Sequence, residues 1–157
     1  MSLQYPSIVP VGYAGDYSDF FRVKQDRSGA VRSLRGSVSI PSGTTSGIIV
    51  GLFPFLKGFH FDYASFFNVA ALGTSVTLAL GYYYEDSTLT SNTAGFLAAS
   101  TTAAAGGVLT PNVVAGSQID AAGEGWVVAL VGGATTGSTG SVTYNALFDY
   151  DISGVSN

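Results

Sequence analysis

Alternation of apolar and polar residues is the dominant pattern of this chain, and it is cleanest in residues 74–84, TSVTLALGYYY. Successive side chains of an extended chain point to opposite faces, so this segment has one face that is mainly Val, Leu and Tyr. Such a period is typical of a half-buried β-strand. The pair Glu85-Asp86 ends the strand, and residues 71–73 connect it to the apolar run 59–69. We expect these two runs to form a β-hairpin.

Other segments with strand character are separated by turn-forming residues. Residues 31–40 have a polar side, whereas 48–56 and 126–131 are apolar on both faces, which predicts buried strands. Pro54 should bend the first of these, and Trp126 should be buried in the second. The predicted strands are 31–40, 48–56, 59–69, 74–84, 108–110, 113–114, 118–121, 126–131 and 141–151. Short strands at this spacing predict an all-β fold, an antiparallel β-sandwich of the jelly-roll type.

One segment is predicted to be helical. Residues 93–105 are rich in alanine, Ser91 or Asn92 can act as N-cap, and Gly106-Gly107 can stop the helix. The residues of the Gly-rich segment 132–140 predict a flexible hairpin loop.

The first 30 residues differ from the rest of the chain. Prolines and glycines break any period there, yet the segment is too apolar for a solvated tail. We therefore divide the chain into an extended N-terminal arm, residues 1–30, and a β-sandwich domain, residues 31–157. Either the arm binds a partner, or it packs along its own domain as an irregular edge strand. The predicted partner-binding residues of the arm are Tyr5, Tyr13, Tyr17, Phe20, Phe21, Arg22 and Arg27.

Composition adds a constraint on the surface. The 157 residues suit a single domain, and 46% of them are hydrophobic but only 10% are charged. Ordinary soluble domains carry roughly 25% charged residues. A surface this poor in charge associates readily, so we expect much of it to be covered by other chains in a homo-oligomer. The absence of cysteine excludes disulfides, and the N-terminus lacks the pattern of a secretory signal, so a cytosol-like compartment is expected.

Charge is distributed unevenly along the sequence. All six basic residues lie within the first 57 positions with three acidic ones, giving plus three, whereas the remainder has seven acidic residues and no basic one. The two parts should attract each other, within one molecule or between neighbours. A net charge of −4 without a basic stripe argues against nucleic-acid binding. The most apolar run, 48–56, is too short to span a bilayer, so no membrane association is expected.

Candidate chemistry is sparse. His60 is the single histidine, and Asp62 shares its strand face, which could form half of a metal or acid–base site. More often such a histidine is simply a hydrogen-bonded polar residue. The pairs Glu85-Asp86 and Asp149/Asp151 could bind calcium or flank a glycosidic bond, but they also fit solvated strand ends. The loop 132–140 lacks a phosphate-binding pattern. We therefore predict no catalytic residue, no metal and no cofactor.

Residues 56–109 carry a resemblance to a known class of proteins. Their order, LKGFHFDYASFFNVAALGTSVTLALGYYYEDSTLTSNTAGFLAASTTAAAGGVL, combines a Leu-basic-Gly turn, an alternating strand ending in aromatic and acidic residues, an FLAA turn and an Ala-Gly segment. This pattern resembles small virion proteins of tailed bacteriophages, of the capsid decoration or cement type. The resemblance implies a jelly-roll sandwich and a structural role. It covers about a third of the chain and leaves out the arm.

The sequence thus favours a non-enzymatic virion protein that decorates and stabilises a bacteriophage capsid as an oligomer. Its expected partners are the major capsid protein and sister subunits, and its expected location is the capsid surface of the virion, after assembly in the host cytoplasm. A tail or fibre module that recognises host surface carbohydrate is the alternative, and it requires aromatic and acidic side chains in one pocket. A glycan-active enzyme with two carboxylates is a third possibility.

Overall fold

The computed structural model describes residues 32–113, 115–116 and 120–150, and within them the chain forms eight strands and one short helix. The predicted arm, residues 1–30, lies outside these ranges, as does Asp151. In chain order the elements are β1 (Arg32–Ile40), β2 (Ile49–Phe55), β3 (Phe59–Val69), β4 (Thr77–Tyr84), β5 (Asn92–Ser100), α1 (Thr102–Ala105), β6 (Gly107–Leu109), β7 (Gly125–Gly132) and β8 (Gly140–Tyr150).

The strands form two four-stranded sheets. The first sheet has the order β1-β8-β3-β6 and the second has the order β2-β7-β4-β5, with antiparallel pairing throughout. Every connection between consecutive strands crosses from one sheet to the other, except the one from β4 to β5. This is the strand order of a jelly roll. The predicted antiparallel sandwich is therefore confirmed.

The core lies between the sheets and follows the alternation of the sequence. In β8 the inward residues Val142, Tyr144, Ala146 and Phe148 are buried, whereas Thr143 is exposed on the outward side. In β1 the outward residues are mainly serine. The first sheet therefore has a polar outward face, as expected for an antiparallel sheet with one wet side.

The predicted hairpin of residues 59–69 with 74–84 is wrong. β3 pairs with β8 and β6 in the first sheet, while β4 pairs with β7 and β5 in the second. The connecting residues 70–76 cross the end of the sandwich, where the Leu72 N–H binds the Ala103 carbonyl at 2.9 Å. Gly73 and Ser75 have φ angles of 113° and 63°, so the chain turns here and the strand begins only at Thr77.

The helix predicted for residues 93–105 is also largely wrong. Most of this segment is β5, an edge strand in which Leu97 pairs with Leu80 of β4, and only α1 is helical. The Phe96 ring stacks on Phe61 across the core, with ring centroids 4.3 Å apart. Alanine favours helix, but helix propensity is a weak determinant of structure, so pairing with β4 and burial of these apolar side chains override it.

β2 is an edge strand, as a proline inside a strand requires. Pro54 itself is paired with Trp126, and the register shifts before it, between Gly51 and Phe53, so the irregularity of this strand does not lie at the proline as predicted. Its partner β7 lies between β2 and β4, so the prediction of a central strand at residues 126–131 is confirmed.

Tyr144 links the two sheets through the core. Its side chain is 2% exposed, and its hydroxyl donates a hydrogen bond to the Leu52 carbonyl of β2 at 3.0 Å. The ring lies against Gly36 of β1, where an added Cβ would come within 2.3 Å of the Tyr144 hydroxyl oxygen. Glycine at position 36 thus makes the room that this cross-sheet bond needs.

Candidate interaction surfaces

His60 lies at the start of β3 and contacts two carboxylates. Its Nδ1 atom is 3.6 Å from Oδ1 of Asp120 and 3.6 Å from Oδ1 of Asp149. The three side chains are 39%, 53% and 40% exposed, so solvent screens these interactions. Asp62 does not join them and instead accepts a 2.8 Å hydrogen bond from the Ala64 N–H. Among the described residues, no group of three or more His, Cys, Asp or Glu side chains is arranged to hold a metal ion.

The carboxylates of Glu85 and Asp86 accept hydrogen bonds from different parts of the protein. Glu85 Oε1 accepts a bond from the Trp126 indole N–H at 3.2 Å. Asp86 Oδ1 accepts bonds from the N–H and the hydroxyl of Thr88, both at 2.8 Å. The backbone bond first, and then the hydroxyl bond, lower the pKa of Asp86. Each carboxylate therefore supports its own local structure, rather than converging with the other on one ligand.

Charge is segregated between the two ends of the sandwich. The loops 56–58, 85–91 and 120–124 meet at one end, where the Glu85 N–H binds the Glu124 carbonyl and the Gly58 N–H binds the Ala121 carbonyl. We call this the charged end, and its ionisable residues include Lys57, His60, Glu85, Asp86, Asp120, Glu124 and Asp149. The loops 41–48, 70–76, 101–106 and 133–139 form the opposite end, which we call the neutral end because they contain no charged residue.

The loops of the neutral end hold one another in place. Gly43 donates to the Thr136 carbonyl at 2.8 Å, and the Thr136 N–H binds Thr44 at 2.9 Å. The Gly137 N–H binds the Leu72 carbonyl at 2.8 Å. Thr136 is 2% exposed, and its hydroxyl donates to the Pro41 carbonyl at 2.7 Å. The glycine-rich loop, which we predicted to be a flexible hairpin, instead connects β7 to β8 in the other sheet and is bonded to two neighbouring loops.

The second sheet differs from the first in having an apolar outward face. Val127, Ala129 and Val131 of β7 belong to the core between the sheets, so Trp126 and Val128 point outward. Trp126 is buried, as predicted, but it lies in this second cluster and not between the sheets. We call the cluster the outer apolar face, and its members are Ile49, Tyr83, Trp126, Val128 and Leu130.

Two large hydrophobic side chains of the described region are exposed, and both lie on the first sheet. Phe66 and Val108 are each 49% exposed. Val108 pairs with Asn68, which is two residues from Phe66 on the same face of β3. Phe66 follows an irregularity in which the Ser65 hydroxyl donates to the Leu147 carbonyl at 3.1 Å. The pair is small, and single exposed apolar residues are normal on protein surfaces.

The predicted partner-binding residues of the arm all lie outside the described residues. Sequence reasoning missed the outer apolar face and the separation of the charged end from the neutral end. A signal for the first was present, because WVVALV in β7 is apolar on both faces although the strands of the first sheet alternate. The second signal was the run of Ser, Thr, Gly and Ala in the loops of the neutral end. Neither signal could be assigned to a face or an end of the sandwich before the strands were assigned to sheets.

The fold defines a small jelly-roll sandwich, and solved structures share it. A chain of the capsid of Ralstonia phage GP4 matches with a TM-score of 0.63 and 20% sequence identity, over 82% of this chain and 89% of that chain. A chain of the cyanophage Pam1 capsid asymmetric unit matches with a TM-score of 0.56 and 19% identity, over 81% of this chain and 95% of that chain. At these identities the similarity is one of fold.

No protein-family model and no curated protein matches the sequence. Among the described residues, no helix is both long and apolar enough to cross a membrane.

Proposed function

We propose that this chain is a non-enzymatic structural protein of a bacteriophage virion, which decorates and stabilises the capsid. The observation that carries the proposal is the shared fold with the Ralstonia phage GP4 capsid chain, over 82% of this chain and 89% of that one. The resemblance of residues 56–109 to decoration proteins supports the finer assignment. Its partners are the major capsid protein and sister subunits, and its place is the capsid surface.

The neutral end is suited to contact with another protein. Charged residues are depleted from the cores of protein interfaces, because burying a charge requires removal of its water. The loops of this end carry no charge and are held by hydrogen bonds, so they lose little water and little conformational freedom on binding. The charged end and the arm then determine orientation, since exposed charges act mainly on specificity and association rate.

The arm supplies a second contact in this proposal. Its aromatic residues provide apolar area, and Arg22 and Arg27 can pair with acidic groups of a neighbour. The acidic residues of the charged end carry the opposite charge to Arg22 and Arg27, so the charged end of a neighbouring subunit can supply such groups. Tyr17→Ser, Phe20→Ser and Phe21→Ser, introduced together, are expected to leave a soluble protein that binds particles weakly.

The test uses particles of the phage that encodes this chain, assembled without it. Purified full-length protein is added, particles are sedimented, and occupancy is measured by gel densitometry and cryo-EM. We expect saturable binding to the head and a higher temperature of genome release. Thr45→Arg, at an exposed position of the neutral end, should lower occupancy, whereas the matched change Thr90→Arg in loop 85–91 should not.

Other outcomes of this experiment contradict the proposal. Density for the chain only on the tail, with binding to a host polysaccharide, would assign it to the tail or fibre class. Failure to bind heads at any concentration would exclude decoration. Equal occupancy for Thr45→Arg and the unchanged protein would remove the neutral end from the contact while leaving decoration intact.

A further inference from the structure

The central residues of the outer apolar face are buried although they point away from the core. Ile49 and Val128 have no exposed surface, and Trp126 is 7% exposed. The Trp126 ring lies against β2, since a Cβ added at Gly51 would be 3.1 Å from its Cε3 atom. The indole therefore covers Gly51 and is itself covered. A further layer of protein must lie over this face.

The described strands do not supply that layer. Each of them belongs to one of the two sheets, and the first sheet packs on the other side of the second. On the first sheet the outward side chains are mainly polar, with Phe66 and Val108 as exposed exceptions, which suits contact with water. On the second sheet the members of the outer apolar face are large and uncharged. The cover must therefore be apolar and uncharged.

We propose that residues 1–15 of the same chain cover the outer apolar face. This segment, MSLQYPSIVPVGYAG, contains no charged residue and is rich in aliphatic and aromatic side chains, whereas the charges of the arm begin at Asp16. Burial of these side chains against the outer apolar face removes both surfaces from water. The division of the arm into an uncharged and a charged half matches the absence of charge on the face.

The arm joins the body at a point from which only a short length of chain is needed to reach the outer apolar face. The arm joins the body at Arg32, the first residue of β1, and β1 and β2 are edge strands that contact each other across the sandwich. Packed sheets lie about 10 Å apart. Residues 16–31 can extend to about 50 Å, at about 3.3 Å for each residue. They therefore reach around the β1–β2 side of the sandwich to the outward face of β2.

This placement gives the two halves of the arm different roles. In this placement Tyr5 and Tyr13 pack on the chain's own body, which is the alternative to partner binding that the sequence left open. Tyr17 to Arg27 then pass the β1–β2 side of the sandwich and remain accessible to neighbouring subunits. Only this last statement rests on the proposed function. The cover itself is a property of the isolated subunit and is tested without particles.

The first experiment uses Trp126, the single tryptophan of the chain, as a reporter on the outer apolar face. Ile8→Asp with Val9→Asp places two charges in the proposed cover, and Ser2→Asp with Ser7→Asp is the control with equal charge. We expect a several-fold increase in acrylamide quenching and a red-shifted emission for the first variant only. Far-UV circular dichroism should show an unchanged β-sheet spectrum in both variants.

The second experiment exploits the absence of cysteine in the chain. Ile8→Cys is combined with Thr77→Cys on the outward side of β4, or with Thr143→Cys on the outward side of β8 as the control. A short bismaleimide should join the first pair within one chain, at a yield several-fold above that of the control. Peptide mass spectrometry identifies the joined residues, and a denaturing gel separates links within one chain from links between chains.

Three results would overturn the inference. Equal cross-linking to Thr143→Cys would show that the segment has no preferred face. Links found only between chains would assign the cover to a neighbour. Unchanged quenching of Trp126 in the Ile8→Asp, Val9→Asp variant would show that other residues cover it. Since particles are absent from both experiments, none of these results bears on capsid decoration.

Discussion

Tyr144→Phe removes one oxygen atom from the core and should measurably destabilise the protein. The hydroxyl is buried and donates to the Leu52 carbonyl at 3.0 Å, so the variant leaves that carbonyl without this donor in a fully buried position. Leu52 lies where the register between β2 and β7 shifts, at a residue absent from the ladder of paired residues. The phenyl ring of the variant would keep the packing against Gly36. The loss is thus confined to the hydrogen bond.

A buried acceptor that loses its donor costs about 1–3 kcal/mol. For a protein of this size, each kcal/mol lowers the melting temperature by about 2–4 °C. We therefore expect Tyr144→Phe to lower the free energy of unfolding by about 2 kcal/mol and the melting temperature by about 4–8 °C. Urea unfolding followed by circular dichroism measures the free energy, and the m value should not change, because the exposed surface is the same.

Tyr83→Phe is the matched control. Tyr83 lies in the outer apolar face and is partly exposed, so removal of its hydroxyl should change the free energy of unfolding by less than about 0.5 kcal/mol. Equal destabilisation by the two substitutions would mean that the hydrogen bond from Tyr144 to Leu52 contributes no more to stability than the partly exposed hydroxyl of Tyr83. A Tyr144→Phe variant as stable as the parent would refute the link between the sheets.

The remaining predictions concern other parts of the sandwich. Trp126→Ala should lower the free energy of unfolding by about 3–5 kcal/mol, measured in urea, and a loss below about 1 kcal/mol would contradict its burial. His60→Gln and a chelator should each leave the melting temperature nearly unchanged in differential scanning fluorimetry, whereas a fall of many degrees with chelator would indicate calcium. Asp86→Ala should lower the melting temperature at neutral pH. Because the hydrogen bonds from Thr88 lower the pKa of Asp86 in the folded state, this difference should disappear as the pH falls through that pKa, and a difference that persists in acid would argue against this cause.

The strands that the sequence predicts best are those with one wet face. β8 alternates between apolar and polar residues because its inward residues fill the core while Thr143 faces solvent. Its sequence pattern therefore matches its burial pattern. β5 lacks this alternation of apolar and polar residues, because Ala98 and Ala99 are exposed and favour helix by local propensity. What makes this segment a strand is its pairing with β4 across the loop 85–91, which its own alanine-rich composition does not signal.

The pairing of neighbouring strands could not be read from local signals either. The connection between β3 and β4 contains Gly73, which favours a turn and suggests a hairpin, but residues 70–76 bond to the loops of other crossings. Those loops come from distant parts of the chain. The same limit applies to the candidate surfaces, because the neutral end exists only once four separate loops are brought together.

The pairing of β1 with β8 has a consequence for the order of synthesis and folding. Arg32 pairs with Phe148 and Ile40 with Gly140, so the partners are about a hundred residues apart in the chain. Folds dominated by such distant pairings form in milliseconds to seconds, much more slowly than helical bundles. During translation, β1 leaves the ribosome before its partner β8 has been made. Its backbone therefore stays unpaired until almost the whole chain has been synthesised. The first sheet cannot close before then, and chains that end early should expose β1 as a template for aggregation.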